Sequence, residues 1–318
     1  MEWYEIVLLI SGIAAGVALL GLLLSFICFM KVFYSPKRKV LKADEYEFPP
    51  GEIYEPYHAE MLSWMKDLRA RPHEDVSITS FDGLTLRGKY YEYAPDAPVE
   101  LLFHGYQGCA ERDLSGAVER CAALGRSALL IDQRGSGTSD GKVITFGILE
   151  HKDCLAWIDF ATQKFGKEKK LILGGISMGA ATVMMAAGKD LPDNVVCIMA
   201  DCGYSSAKEI IKKVVREMHL PADMVYPFIR LGAKLFGKFN LEETSPIEAV
   251  KRATKPLILL HGDEDDFVPF QMSADVFAVC PTQKKLVPIK GAGHGLAFPK
   301  DKKGYVGALR EFQEECGF

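Results

Sequence analysis

Several features are scarce in this 318-residue chain, and each absence narrows its function. None of the eight cysteines forms a C-x-x-C pair, so the common zinc-site spacing is excluded. No block of like charge exceeds a few residues and the formal net charge is −4, which argues against nucleic acid or a polyanion as partner. There is no internal repeat and no low-complexity tract, so a solenoid or a disordered array is excluded. GGISMGAA, residues 174–181, lacks the lysine that a Walker A loop carries after its last glycine. Charge itself is missing from Ile6 to Met30.

That uncharged run is long enough, as a helix, to span a hydrocarbon core of about 30 Å. Its leading residues Met1-Glu2-Trp3-Tyr4-Glu5 are acidic and the run is long, unlike a cleaved signal peptide. A retained transmembrane helix is therefore expected over residues 1–35, with Trp3 and Tyr4 at one interface and Phe33 and Tyr34 at the other. Lys31, Lys37, Arg38, Lys39 and Lys42 all follow it, so the positive-inside rule places the bulk of the chain in the cytoplasm, as a single-pass protein of the cell membrane. Most cysteines sit in apolar runs, as suits a reducing compartment.

What remains has the composition of a globular domain, 48% hydrophobic and 25% charged. Residues 36–75 are expected to hold a linker, proline-rich and acidic over 43–56, followed by a packing helix. In that helix Tyr57, Met61, Leu62, Trp64, Met65 and Leu68 recur at helical spacing. A chain starting near Asp44 would then be soluble and active.

From residue 76 to 318 strands and helices alternate. Asp82-Gly83 turns a hairpin between Val76–Ser80 and Leu84–Tyr93, and apolar strands follow at Val99–Phe103, Ser127–Ile131, Leu171–Gly174, Val195–Ala200, Leu257–Leu260 and Lys285–Ile289. Between them come helical patterns, among them Glu150–Phe165 and Met178–Ala187. The pattern predicts a mostly parallel sheet covered by helices on both faces. Residues 204–250 break the rhythm with helices only and predict a cap over the strand ends, with Phe228 turned toward a substrate.

Chemistry in such sheets sits beyond the carboxyl ends of the strands. There the chain places His104-Gly105-Tyr106, Ser177 between Gly175 and Gly179, HGDEDDFVP at 261–269, and GAGHG at 291–295. A serine needs a general base to become a nucleophile, and the base needs a carboxylate to hold its other nitrogen. Ser177, His294 and Asp265 fit those roles. The amides of Met178 and Tyr106 fit the oxyanion donors. His104 and His261 read as loop supports, as do Asp132 and Arg134.

Read together, LLFHGYQG, IDQRGSGTSDG, GISMG, HGDEDDFVP and GAGHG resemble the landmarks of the α/β-hydrolases, in order and over roughly residues 76–316. More narrowly, the chain resembles the membrane-anchored bacterial branch related to serine aminopeptidases, whose members are often labelled cell-surface hydrolases. That label and the basic flank point to opposite sides of the membrane. The resemblance implies an α/β-hydrolase fold, Ser177 as nucleophile, Asp265 as acid and His294 as base. It implies a carboxylic-ester hydrolase acting on a small acyl substrate, with no metal and no organic cofactor. A peptidase, a lipid or thioester hydrolase and a non-catalytic binding protein on the same fold are the alternatives. The substrate and the oligomeric state stay open.

Overall fold

A computed structural model describes residues 2–36, 42 and 44–318 of the chain. The basic residues Lys37, Arg38 and Lys39 used above to orient the helix lie outside the described residues. The chain opens with helix α1, Trp3–Val32, long and apolar enough to cross a membrane. Glu2 and Glu5 close its N-terminus as a reciprocal capping box. A 3₁₀ turn, Glu52–Tyr57, leads into α2, His58–Ala70.

The main body of the chain runs β1 (Glu74–Thr79), β2 (Thr85–Tyr91), β3 (Val99–Phe103), α3 (Ala110–Ala123), β4 (Ser127–Asp132), α4 (Glu150–Phe165), β5 (Leu171–Ile176), α5 (Met178–Ala187) and β6 (Val195–Asp201). Three helices follow, α6 (Ala207–Glu217), α7 (Ala222–Leu235) and α8 (Pro246–Val250). The body ends with β7 (Leu257–Gly262), α9 (Phe270–Val279), β8 (Lys284–Ile289), α10 (Ala297–Lys300) and α11 (Lys302–Cys316). The eight strands form one sheet ordered β1-β2-β4-β3-β5-β6-β7-β8. β1, β2 and β4 pair antiparallel in turn, and the pairs from β4 through β8 are parallel.

The central strands read as unbroken apolar runs because both sheet faces are covered. Leu101, Leu129, Leu173 and Leu259 are fully buried in one such layer, against Trp157 and Ile158 of α4. One charge lies on the opposite face of the sheet, under α3. Glu100 in β3 is completely buried and takes ion pairs from Arg120 of α3 and Arg126, the latter at 3.0 Å. Desolvation opposes its charge, but the two guanidiniums overcome it and hold the carboxyl below its ordinary range.

Two expectations need correction. Residues 43–56 do not behave as a free linker where they are described. Tyr46, Phe48 and Tyr54 pack against Met61, Trp64 and Met65 of α2, and Glu47 pairs with Arg112 at 3.2 Å. Three prolines break regular structure but do not prevent burial of the aromatics between them.

The larger correction concerns α1. Its last turns and the Phe33 that caps them are built into the main body: Phe29 and Phe33 are 6% and 1% exposed and share a core with Phe146, Tyr226, Ile229 and Phe239. Beyond the helix, Tyr34 bridges Val143, the Ile144 amide donates to Phe33 O at 2.8 Å, and the Ser35 hydroxyl donates to Gly135 O at 2.7 Å. A helix that is also part of a core is no mere tether. A chain starting near Asp44 would lose Phe29 and Phe33 from this core, which runs against the expectation that it keeps its activity.

Candidate active site

Ser177 sits between β5 and α5 with φ 54° and ψ −114°, in the positive-φ region that side chains rarely adopt. The turn is sharp because α5 lies hard against the sheet. A Cβ on Gly179 would stand 1.9 Å from the Phe103 carbonyl oxygen, and one on Gly175 would stand 2.2 Å from the Gly179 backbone. The two glycines thus permit the approach that holds the serine out over the strand ends.

His294, on the loop after β8, reaches across to it. Its Nε2 is 2.9 Å from Ser177 Oγ and its Nδ1 is 2.7 Å from Asp265 Oδ2. Asp265 follows β7, and its other oxygen accepts the amides of Phe267 at 2.9 Å and Val268 at 2.7 Å. His261 adds a contact to Oδ2 at 3.2 Å. Burial alone would raise this carboxyl; hydrogen bonds from His261 and His294, with the Val268 amide, reverse that and hold it at about 2. An ionised Asp265 therefore faces Nδ1–H, which leaves Nε2 as the acceptor for the serine hydroxyl.

The neighbouring carboxylates point elsewhere. Asp263 accepts the Gly291 amide at 2.6 Å, and Asp266 offers Lys213 only its backbone carbonyl. His104 is a clasp: Nδ1 meets its own loop's Gly105 carbonyl at 2.8 Å and Nε2 accepts the Gln133 amide at 3.0 Å. Asp132 holds the loop after β4 through Thr138 and Ala110, and Arg134 joins Asp82 to Asp153.

Met178 is the first residue of α5, and helices leave their first amides without an intrahelical acceptor. Gly105 lies against Ser177, its built Cβ 3.6 Å from the serine's, so Tyr106 follows directly at the site. The Tyr106 ring stacks on Phe146 at 5.0 Å.

A cavity of about 810 Å³ opens at Ser177 and His294 and runs under α3. Phe48, Ile53, Met61, Trp64, Leu114 and Phe298 give it an apolar lining. The helices of residues 204–250 supply none of its wall. Phe228, expected to face a substrate, instead lies against α1, 3.8 Å from where a Cβ on Gly21 would stand. Its apolar face was legible; the helix it meets was not. The wall comes from residues 47–54, which composition alone marked as linker, and from Phe267 beside His294 at 5.0 Å between ring centres. Sequence reasoning also passed over Cys202, buried with its thiol close to Asp265 and His294. Burial pushes that thiol well above its ordinary range, so it stays neutral.

Comparison with known proteins bears on the family and the fold. The profile of the prolyl oligopeptidase family matches residues 121–316. YqkD of Bacillus subtilis, an uncharacterized protein, is 26% identical over 190 residues, covering 59% of this chain and 62% of its own length. The chain thus spans less than two thirds of that relative. Among solved structures, the Pyrococcus furiosus esterase Pf2001 superposes with a TM-score of 0.64 at 22% identity, over 79% of this chain and 93% of that one. Est1E from Butyrivibrio proteoclasticus, solved with ferulic acid bound, gives 0.56 at 22% identity, over 76% and 98%. The chain belongs to the prolyl oligopeptidase family and has the α/β-hydrolase fold.

Proposed function

We propose that the chain hydrolyses carboxylic esters by acyl transfer through Ser177, at a membrane that α1 crosses. The observation that carries this reading is the bridge His294 makes between Ser177 Oγ and Asp265 Oδ2, at 2.9 and 2.7 Å.

In the proposed sequence His294 Nε2 takes the Ser177 proton as Oγ attacks the ester carbonyl, forming a tetrahedral oxyanion. The imidazolium that results faces the Asp265 carboxylate, which remains ionised and fixes the ring. The amides of Met178 and Tyr106 receive the oxyanion, a kind of interaction in which one donor is worth roughly 2.7–4 kcal/mol. His294 then passes its proton to the leaving alcohol, and the acyl-serine forms. Water enters, gives its proton to His294 and attacks the acyl carbon; collapse frees the acid and returns the proton to Ser177. All atoms come from ester and water, so no cofactor is required.

The apolar cavity beside Ser177 favours an acyl or alcohol part with hydrocarbon character. Lys31 and Lys42 on the trailing side of α1 support a cytoplasmic hydrolase domain.

The test is labelling with a fluorophosphonate, followed by turnover of acyl esters and of aminoacyl amides. Wild type labels, Ser177→Ala does not, and esters are turned over. Equal labelling of both proteins overturns the nucleophile; turnover of aminoacyl amides alone overturns the ester reading in favour of a peptidase.

A further inference from the structure

Helix α7 runs alongside the membrane-crossing segment in the same direction. Phe228 lies beside Gly21, Gly232 against Ser25 and Phe29, and Phe236 against Phe26 and Phe29 at 5.2 and 5.9 Å between ring centres. Gly232 is needed there: a Cβ would stand 2.4 Å from the Ser25 carbonyl oxygen. Following both helices four residues toward their N-termini moves about 6 Å along α1, to the level of Val17 beside Met224.

That level decides the surroundings. With Trp3 and Tyr4 at one interface, the stretch from Trp3 to Gly21 covers about 28 Å, close to the roughly 30 Å of a hydrocarbon core. The start of α7 and the turn before it thus stand at or just inside the boundary of that core. Water-facing turns of this kind are normally polar. This one exposes Met218, Leu220 and Met224, at 63%, 45% and 71%. Farther along α7, Leu231 and Leu235 are also exposed on the same element.

Charge fits the same surroundings. The α6–α7 hairpin, residues 207–235, holds six Lys and Arg against three Asp and Glu, in a chain whose net charge is −4. Lys212 and Lys213 are tied to Asp223 and Glu217, whereas Arg216 and Lys234 have no carboxylate partner among the described residues. The exposed Arg216 beside the tip, and Lys234 about three turns farther along α7, match an anionic headgroup layer, each worth about 1 kcal/mol near such a surface, while Asp223 at the tip is paired with Lys212.

We infer that the tip of the α6–α7 hairpin, Met218–Met224, is immersed in the bilayer beside α1, so that the domain is held by two elements and its orientation to the membrane is fixed. The inference rests on α1 crossing the bilayer and is independent of the chemistry at Ser177. The two contacts act at separate points, one along the normal and one beside it, which removes the swivel that a single helix would leave.

The test uses the full chain in phosphatidylcholine–phosphatidylglycerol vesicles. Single cysteines replace Met224, Leu220, Leu9 in α1, or Lys167 on the exposed turn after α4. Cys28, Cys109 and Cys316 are changed to alanine, so that the remaining native cysteines are buried. Each site carries an environment-sensitive fluorophore, and quenching by spin-labelled lipid is compared with quenching by aqueous iodide. Positions 224 and 220 should lose most of their emission to the lipid quencher and little to iodide, as position 9 does, with position 167 the reverse. If position 9 answers to lipid while 224 and 220 answer only to iodide, the inference is overturned and the span stands. If position 9 also answers only to iodide, the span and the inference fall together. Met224 is so exposed that cysteine there leaves the packing intact, and Leu220 gives a second reading of the same tip.

Discussion

The Tyr106 hydroxyl donates a hydrogen bond of 2.8 Å to the carbonyl oxygen of Val32, in the last turn of α1. Burial pushes that hydroxyl up to about 12, so it remains a donor across the working pH range. The loop beside Ser177 is therefore tied to the end of α1 by one bond. Tyr106→Phe removes the bond, leaves the ring stacked on Phe146 and strands one helix-end carbonyl. The expected loss of stability is about 1 kcal/mol. Because the proposed oxyanion amide belongs to the same residue, kcat should fall several-fold with KM nearly unchanged. A rise in KM at constant kcat would detach this tyrosine from the oxyanion loop.

Phe33 tests whether α1 is part of the hydrolase core. It is 1% exposed and meets Phe146 and Phe239 edge-on at 5.9 and 5.2 Å between ring centres. Phe33→Ala should cost about 3–5 kcal/mol, as large aromatic deletions from a core do. Removing everything before Asp44 should be worse, giving aggregation or a strongly lowered melting temperature. A truncated chain that melts like the full one in the same detergent would refute the shared core.

Asp265 and Asp263 separate by partner. Asp265→Asn should lower turnover by roughly four orders of magnitude through the wrong imidazole tautomer. Asp263→Asn loses a charged acceptor for the Gly291 amide and should cost far less. pH gives an independent check. The Asp265 carboxyl is held at about 2 in the folded chain, below the roughly 3.9 of an unfolded aspartate. Its ionised form therefore stabilises the fold above about pH 4. That contribution, on the order of 2 kcal/mol, fades as pH falls toward 2. The melting-temperature gap between wild type and Asp265→Asn should narrow over that interval. A gap that does not change with pH there would mean the carboxylate contributes nothing as an ion.

Acyl-length preference should reside in residues 47–54 and not in the helices of 204–250. Ile53 lines the cavity and approaches Gly293, one residue before His294. Ile53→Ala should change the ratio of specificity constants for long and short acyl esters by up to about tenfold, or 1.4 kcal/mol. Phe228→Ala should leave that ratio alone and lower the melting temperature, since its ring packs on α1. The opposite pattern, with selectivity moving only in Phe228→Ala, would return the substrate wall to the cap.

Much of this arrangement was legible in the sequence, for a local reason. α4 and α5 have the bounds their apolar patterns predict, Glu150–Phe165 and Met178–Ala187. Ser177, Asp265 and His294 could be placed because each follows a strand of one parallel sheet, and topology brings such loops to one edge. Other features were not legible, because periodicity states which face of a helix is apolar but not which surface it meets. Phe228 illustrates this: the same stripe that would line a pocket packs on α1 instead. Helix α9, Phe270–Val279, was missed because its two buried positions, Ser273 and Val276, make too short a stripe to announce itself. Residues 43–56 were taken for linker because Pro49, Pro50 and Pro56 mark irregular backbone, and irregular backbone can still deliver Phe48 and Ile53 to a cavity wall.

The shared core of α1 also sets an order of events during synthesis. Phe29 and Phe33 leave the ribosome early, with the long apolar helix, while their partners Phe146, Tyr226 and Phe239 are made much later. Until then the end of α1 must wait with its aromatic side chains unmatched. Closure of such long-range contacts comes late because the intervening chain must first be ordered. The sheet and its helices therefore complete their folding against a helix made long before them, and α1 serves as the template on which the rest of the domain closes.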